Sequence, residues 1–144
     1  MTTFPPTLQS VLETFDMFPD QADRTNMLLS YADQFREVPA AVAERPFAAS
    51  HQVPQCESDA YVWAIKKADG TLDLYFAVEN PSGVSAKALA AILQRSLSGL
   101  PAAEIAKVDP SIVERIFRQN ISMGKGMGLM SMVDAVRALA RRAL

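Results

Sequence analysis

The residues best suited to covalent chemistry are the single cysteine, Cys56, and the single histidine, His51. A cysteine thiolate is a strong nucleophile, and a histidine within hydrogen-bond reach can accept the thiol proton. The neighbours Gln55 and Glu57 are polar, so we expect Cys56 on a polar loop, where reactive groups are often placed. Two plainer interpretations stay open. In the first, Cys56 is a small buried apolar side chain. In the second, His51 is a solvated side chain that never meets the thiol.

These two residues also exclude several kinds of site. A single cysteine cannot form an internal disulfide. One cysteine and one histidine cannot supply the usual ligands of a zinc site or hold an iron–sulfur cluster within one chain, so we predict no metal site. The opening MTTFPPTLQS lacks the form of a signal or transit peptide, and a free thiol suits a reducing compartment. We therefore expect a cytoplasmic protein.

A second candidate is the glycine-rich segment of residues 122–128, in which Lys125 stands between Gly124 and Gly126. Alternate glycines let the backbone approach another group closely, and the start of a following helix favours an anion. The Gly-Lys pair is not followed by Ser or Thr, as a phosphate-binding loop requires. The alternative is a mobile loop that carries one solvated lysine. In either case we predict that the last helix begins near Leu129.

Length and composition limit the class of protein. With 144 residues, of which 49% are apolar, the chain is expected to form a single domain over residues 1–144. The net charge is −2 and no basic block is present, which argues against nucleic acid as a partner. The most apolar stretch, Val84–Leu97, contains charged residues and is too short to span a bilayer, so we expect no membrane partner.

The hydrophobic pattern predicts strands in the middle of the chain and helices on either side. Asp69 and Gly70 separate two runs of aromatic and β-branched residues, which is a strong β-hairpin signal. Residues 51–53 suggest a short edge strand that ends at Pro54. The fold class predicted is therefore α+β, with a small antiparallel sheet of about three strands covered by helices. The predicted core face of the second hairpin strand carries Leu72, Leu74, Phe76 and Val78.

Helix signals divide the rest of the chain. Asp20 and Ser85 are the predicted N-caps of two helices, which run to about residues 36 and 98. The other predicted helices span about residues 8–15, 101–106 and 129–143, with one more opening at Pro110.

Residues 53–63, VPQCESDAYVW, resemble the cysteine-loop segment of the SufE family, whose pattern is V-P-G-C-Q-S-x-V-[WY]. The similarity continues in the same order along nearly the whole chain. Residues 87–89 resemble the K/R-G-L helix of the family, and residues 99–101 resemble its G-x-T-P turn. Residues 121–132 resemble the L-x-x-S-R-x-x-G-L-x-x-M segment at the last helix, with matches at Gly128, Leu129 and Met132.

The resemblance implies that Cys56 accepts sulfur as a persulfide from a cysteine desulfurase of the SufS type and passes it to an iron–sulfur scaffold. It implies a carrier that stimulates the desulfurase, not an enzyme. No cofactor is expected on this chain, because the pyridoxal phosphate belongs to the desulfurase. The implied fold is the one shared with IscU-type scaffolds, whose several metal-binding cysteines this chain lacks. We expect a monomer or a weak homodimer, with the Cys56 loop shielded until a partner binds.

The chain departs from the family pattern beside the cysteine. Gln55 replaces a glycine, which makes positive φ less accessible, and Glu57 replaces a glutamine, which adds a negative charge near the thiol. Lys125 stands where the family has arginine, and the resemblance places it near Cys56. His51 and Lys125 are the positive groups available to activate the thiol. The predicted assisting or partner-binding residues are therefore His51, Gln55, Glu57 and Lys125.

Two alternative functions remain at this stage. One is a stand-alone thiol-dependent enzyme that uses Cys56 with His51 as its base. The other is a passive adaptor, in which Cys56 is only packing and a methionine-rich surface binds a partner.

Overall fold

The computed structural model describes residues 4–144 and has the α+β architecture that the sequence predicts. Two helices come first, α1 (Pro6–Asp16) and α2 (Gln21–Asp33), and a hairpin of β1 (Ala60–Lys66) and β2 (Leu72–Val78) follows. The remaining helices are α3 (Val84–Leu97), α4 (Ala102–Ile105), α5 (Ile112–Phe117) and α6 (Met123–Arg142). Short 3₁₀ turns lie at Ala49–His51 and Arg118–Asn120.

The predicted hairpin is confirmed. β1 and β2 pair antiparallel from Ala60 opposite Val78 to Lys66 opposite Leu72. Gly70 adopts a φ of 85° at the turn, a conformation that glycine reaches without steric cost. The alternation along β2 is also as predicted, because one face is buried throughout: Leu72, Leu74, Phe76 and Val78.

The predicted third strand is wrong: the sheet of the described residues has two strands. Ala49–His51 is a 3₁₀ turn, and Gln52 forms only an isolated bridge with Tyr61. Pro54 has no backbone N–H to extend this pairing, and the chain turns away into the loop that carries Cys56.

Helix α6 begins at Met123, six residues earlier than predicted, so the glycine-rich segment is helix and not loop. The Ser122 hydroxyl accepts a hydrogen bond from the Lys125 backbone N–H at 3.2 Å and caps this end. Asp20 caps α2 as predicted, because its carboxylate accepts from the backbone N–H groups of Ala22 and Asp23. The predicted cap at Ser85 is wrong, since the N-cap of α3 is Gly83, two residues earlier.

Helix α3 forms the centre of the core, where it contacts α1, α2, α6 and strand β2. Six of its apolar side chains are completely buried: Ala88, Leu89, Ala90, Ile92, Leu93 and Leu97. Of the helices described within residues 4–144, none is long and apolar enough to cross a membrane.

Candidate functional site

Cys56 lies on a short loop that connects Val53 to Ala60, the first residue of β1. The Val53 backbone N–H donates to the Ala60 carbonyl at 2.8 Å and closes the loop, and the Asp59 N–H donates to the Cys56 carbonyl at 3.2 Å. Cys56 is half-buried and packs against the main hydrophobic core. The thiol is therefore neither at an exposed loop tip nor fully enclosed.

The loop uses a backbone conformation that is unfavourable for its own residues. Gln55 has a φ of 59° and Asp59 a φ of 50°, and neither is a glycine. Left-handed backbone of this kind costs roughly 1–2 kcal/mol for a residue with a Cβ. The sequence predicted that Gln55 would make a positive φ less accessible, yet Gln55 adopts a positive φ in the structure.

Helix α6 supports the loop from one side through Gly128. A methyl group placed on Gly128 would lie 3.0 Å from the Gln55 carbonyl oxygen and 3.4 Å from the Cys56 Cα. Only glycine allows the helix and the loop backbone to approach so closely without a shift of one against the other.

The segment before α3 supports the loop from the other side. The backbone N–H groups of Glu79 and Asn80 donate to the carbonyls of Asp59 and Ser58, each at 3.1 Å. A methyl group on Gly83 would lie 3.0 Å from the Ser58 Cβ. The cysteine loop is therefore enclosed between the start of α3 and the start of α6.

A cavity of about 10 Å³ lies beside Cys56, between the loop and these two helix starts. A volume of this size is close to the minimum that holds one water molecule. Its lining includes two oppositely charged residues, Glu57 and Lys125. The other lining residues are Ser58, Ser85, Ala86, Gly124, Gly128 and Leu129. The structure thus places Lys125 and Glu57 at the same small cavity as Cys56, while Gln55 contributes its backbone to the contact with α6.

His51 is not among the residues that line this cavity. Its ring stacks on Trp63, with centroids 5.3 Å apart, and its Nδ1 lies 3.1 Å from the Val62 carbonyl oxygen. A carbonyl only accepts, so Nδ1 carries the proton and donates it. His51 is half-buried and keeps some contact with solvent, and its described contacts hold it against β1.

The match of the chain with known proteins agrees with this geometry. The family model described as "SufE: Fe-S metabolism associated domain" matches residues 9–140. The chain belongs to the SufE family. This membership assigns the protein to iron–sulfur metabolism. The chain is also 26% identical to a protein of Thermus thermophilus, whose solution structure is described as that of a hypothetical protein. That comparison covers 98% of each chain with a TM-score of 0.74, and no curated protein matches the sequence.

Exposed apolar side chains lie next to the cavity of this SufE-family chain. On α6, Met123 and Met127 are 86% and 53% exposed, one helical position before the cavity-lining glycines. Val84 is 39% exposed and directly precedes Ser85, which lines the cavity. The sequence indicated a methionine surface, but Gly83 and Val84 were not recognised, because no local pattern marks them.

No metal site accompanies the thiol in the described part of the chain, where His, Cys, Asp and Glu form no group of three or more that could hold an ion. The chemistry that these residues offer is that of one thiol with a lysine and a carboxylate nearby.

Proposed function

We propose that this SufE-family protein accepts sulfur on Cys56 from a pyridoxal-phosphate cysteine desulfurase of the SufS type. It stimulates that enzyme and passes the sulfur to an iron–sulfur scaffold. The observation that carries the proposal is the position of the only cysteine, half-buried beside a cavity of about 10 Å³. A persulfide adds one atom to the thiol, and the cavity has room for about one water-sized group.

The transfer is a thiol–disulfide type of exchange. The Cys56 thiolate attacks the outer sulfur of the persulfide on the desulfurase cysteine. A new S–S bond forms to Cys56, the S–S bond of the desulfurase persulfide breaks, and the desulfurase cysteine leaves as a thiolate. The outer sulfur changes carrier without net oxidation or reduction, so this chain needs no cofactor for the step.

The charges at the cavity suggest how the reacting sulfur is controlled. Lys125 and Glu57 bring opposite charges to the cavity, so the ammonium group attracts the negative charge that passes between the sulfur atoms during the transfer and the carboxylate repels it. Both side chains are exposed, so a docked partner can reach and rearrange them. Replacing Lys125 by Gln is expected to slow the transfer, and replacing Glu57 by Gln is expected to accelerate it.

The exposed apolar residues beside the cavity provide a docking surface for the desulfurase. Methionine side chains are flexible and polarisable, so Met123 and Met127 can adapt to a partner surface. A partner that covers them together with Val84 also covers the opening next to Cys56.

The two alternative functions have less support. A stand-alone enzyme needs room for a substrate and a base near the thiol, but the cavity accepts about one small group and His51 does not line it. A passive adaptor would need no thiol beside a cavity, and it predicts that Cys56 can be replaced without effect.

The proposal is tested by measuring alanine release from cysteine by a SufS-type desulfurase with and without this protein. The wild-type protein should stimulate the enzyme, and Cys56→Ser should lose that stimulation while its circular dichroism spectrum stays unchanged. Gly124→Ala is the matched control, because it alters the same cavity lining without touching the sulfur, and it should stimulate. Full stimulation by Cys56→Ser would overturn the proposal and favour the adaptor.

A further inference from the structure

A second and much larger cavity, of about 570 Å³, lies between α2, α5 and the turn that follows α5. It shares no lining residue with the cavity at Cys56. Its volume falls in the range of sites for small molecules. Three of its lining residues are arginines, and one is a glutamate: Arg24, Arg115, Arg118 and Glu114.

Arg24 places a buried positive charge at this cavity. It is 1% exposed, and its two terminal nitrogens donate to the backbone carbonyls of Phe15, Arg115 and Ile116 at 2.6, 3.0 and 2.6 Å. These bonds satisfy carbonyls at the ends of α1 and α5. Among residues 4–144 no carboxylate forms an ion pair with Arg24, and its Nε is buried without a partner.

The other two arginines share one carboxylate. Arg115 forms a two-point interaction with Asp16, with distances of 2.6 and 3.1 Å. Arg118 is farther away, with its Nη2 3.7 Å from the same carboxylate, and makes no hydrogen bond to it. Burial, followed by the positive charge of Arg118, lowers the pKa of Arg24. With Glu114 and Asp16 counted, three guanidinium groups stand against two carboxylates, so one positive charge is left at the cavity for an anion to neutralise.

The backbone at Arg118 supports a role for its side chain. Arg118 has a φ of 47° and a ψ of −119°, which a residue with a Cβ rarely adopts. Glycine would reach this conformation more easily, yet the position carries an arginine. Unfavourable backbone of this kind is concentrated at binding and catalytic sites. The neighbours Gln119 and Asn120 also line the cavity, where the Asn120 side-chain nitrogen donates to the Gln21 carbonyl and to the Thr25 hydroxyl and so fixes this turn to α2.

We propose that this cavity binds the phosphate group of a small phosphorylated molecule. Arg118 donates hydrogen bonds to the phosphate oxygens, and the buried charge of Arg24 attracts the anion without contacting it. A phosphate suits the site because the planar guanidinium of Arg118 can donate charge-assisted hydrogen bonds to two of its oxygens, while Arg24 and Arg115 keep their described partners. A cavity of about 570 Å³ also leaves space for an organic part. The inference is independent of sulfur transfer at Cys56.

The test is a titration of the full-length protein, followed by backbone amide NMR, with inorganic phosphate and with glycerol 1-phosphate at constant ionic strength. Sodium chloride serves as the reference salt. Saturable shifts are expected at the amides of Gln119 and Asn120. Tighter binding of glycerol 1-phosphate supports an organic phosphate as the ligand, whereas equal or tighter binding of inorganic phosphate would overturn that assignment in favour of the free ion.

Arg118→Gly is the informative variant, because glycine accepts the observed φ and the fold should be retained. It should weaken phosphate binding about tenfold or more, the loss expected for hydrogen bonds to a charged group. Arg141→Gln, at an exposed position near the end of α6, removes the same charge elsewhere and should bind as the wild type does. Absence of saturable shifts at these amides, or equal binding by Arg118→Gly, would overturn the proposal. Whether or not phosphate binds, Arg118→Gly and Arg141→Gln should still stimulate the desulfurase.

Discussion

The β-hairpin and the cysteine loop are adjacent in the chain but keep their shapes in different ways. The hairpin has a regular register from Ala60–Val78 to Lys66–Leu72, and its turn contains the glycine that the positive φ requires. The loop has few such local supports. Gln55 adopts a positive φ without being a glycine, and the loop is supported by the segment before α3 and by α6, where Gly83 and Gly128 allow a close approach.

This difference shows where the information for each region is encoded. The hairpin is determined by residues within it, so substitutions there act locally. The loop is held by glycines that lie about 25 and 70 residues farther along the chain, because only there can α3 and α6 approach its backbone. The thiol therefore lies on a segment whose conformation depends on the packing of two helices. Segments of this kind open more easily than the core, which suits the transfer proposed for Cys56.

The largest effect is expected from Gly128→Ala. The added methyl group would lie 3.0 Å from the Gln55 carbonyl oxygen, so the loop or the helix must shift. Overpacking of this kind costs about 1–3 kcal/mol, and replacing a helical glycine by alanine returns about 0.5–1 kcal/mol, so urea unfolding should measure a net loss of up to about 2.5 kcal/mol in the free energy of unfolding. The shift should also change the rate at which Cys56 reacts with a maleimide.

Two glycine substitutions serve as controls for that result. Gly124 lies in the same helix with open space around it, so Gly124→Ala should raise the free energy of unfolding by about 0.5–1 kcal/mol. Gly70→Ala should destabilise the hairpin turn, where φ is 85°, and leave the maleimide rate unchanged. If Gly128→Ala is as stable as Gly124→Ala, the close contact between α6 and the loop does not support the thiol.

A smaller effect is expected from Gln55→Gly. Relief of the left-handed backbone gains roughly 1–2 kcal/mol, and the greater freedom of the unfolded chain takes back about 0.4–1 kcal/mol. The free energy of unfolding should therefore rise slightly.

The matched change at the neighbouring exposed position, Glu57→Gly, relieves no positive φ and should lower the free energy of unfolding by about 0.4–1 kcal/mol. Chemical denaturation of both variants shows whether the free energy of unfolding rises for Gln55→Gly and falls for Glu57→Gly. A loss of stability for Gln55→Gly equal to that for Glu57→Gly would show that the loop is not strained at Gln55.

The parts of the structure that were predictable from sequence are those determined by near neighbours. Asp69 and Gly70 predicted the hairpin, and Asp20 predicted the cap of α2. The start of α6 was mispredicted because its three glycines are typical of a loop, although Ser122 provided a capping signal.

Long-range contacts explain the remaining differences at the site. The stacking of His51 on Trp63 was not predicted, because Trp63 lies twelve residues farther along the chain, on β1. The proximity of Lys125 to Cys56 followed from the family resemblance and not from any local pattern. The cavity lined by Arg24, Arg115 and Arg118 was not predicted, because its residues come from helices separated by about 90 positions in sequence.

The central claim, that Cys56 carries sulfur, is tested most directly by intact-mass spectrometry under non-reducing conditions. The protein is incubated with cysteine and a catalytic amount of a SufS-type desulfurase. The account predicts that the wild-type protein gains the mass of one sulfur atom, that dithiothreitol removes it, and that Cys56→Ser gains nothing. A wild-type protein of unchanged mass, beside a desulfurase that carries its own persulfide, would contradict the account.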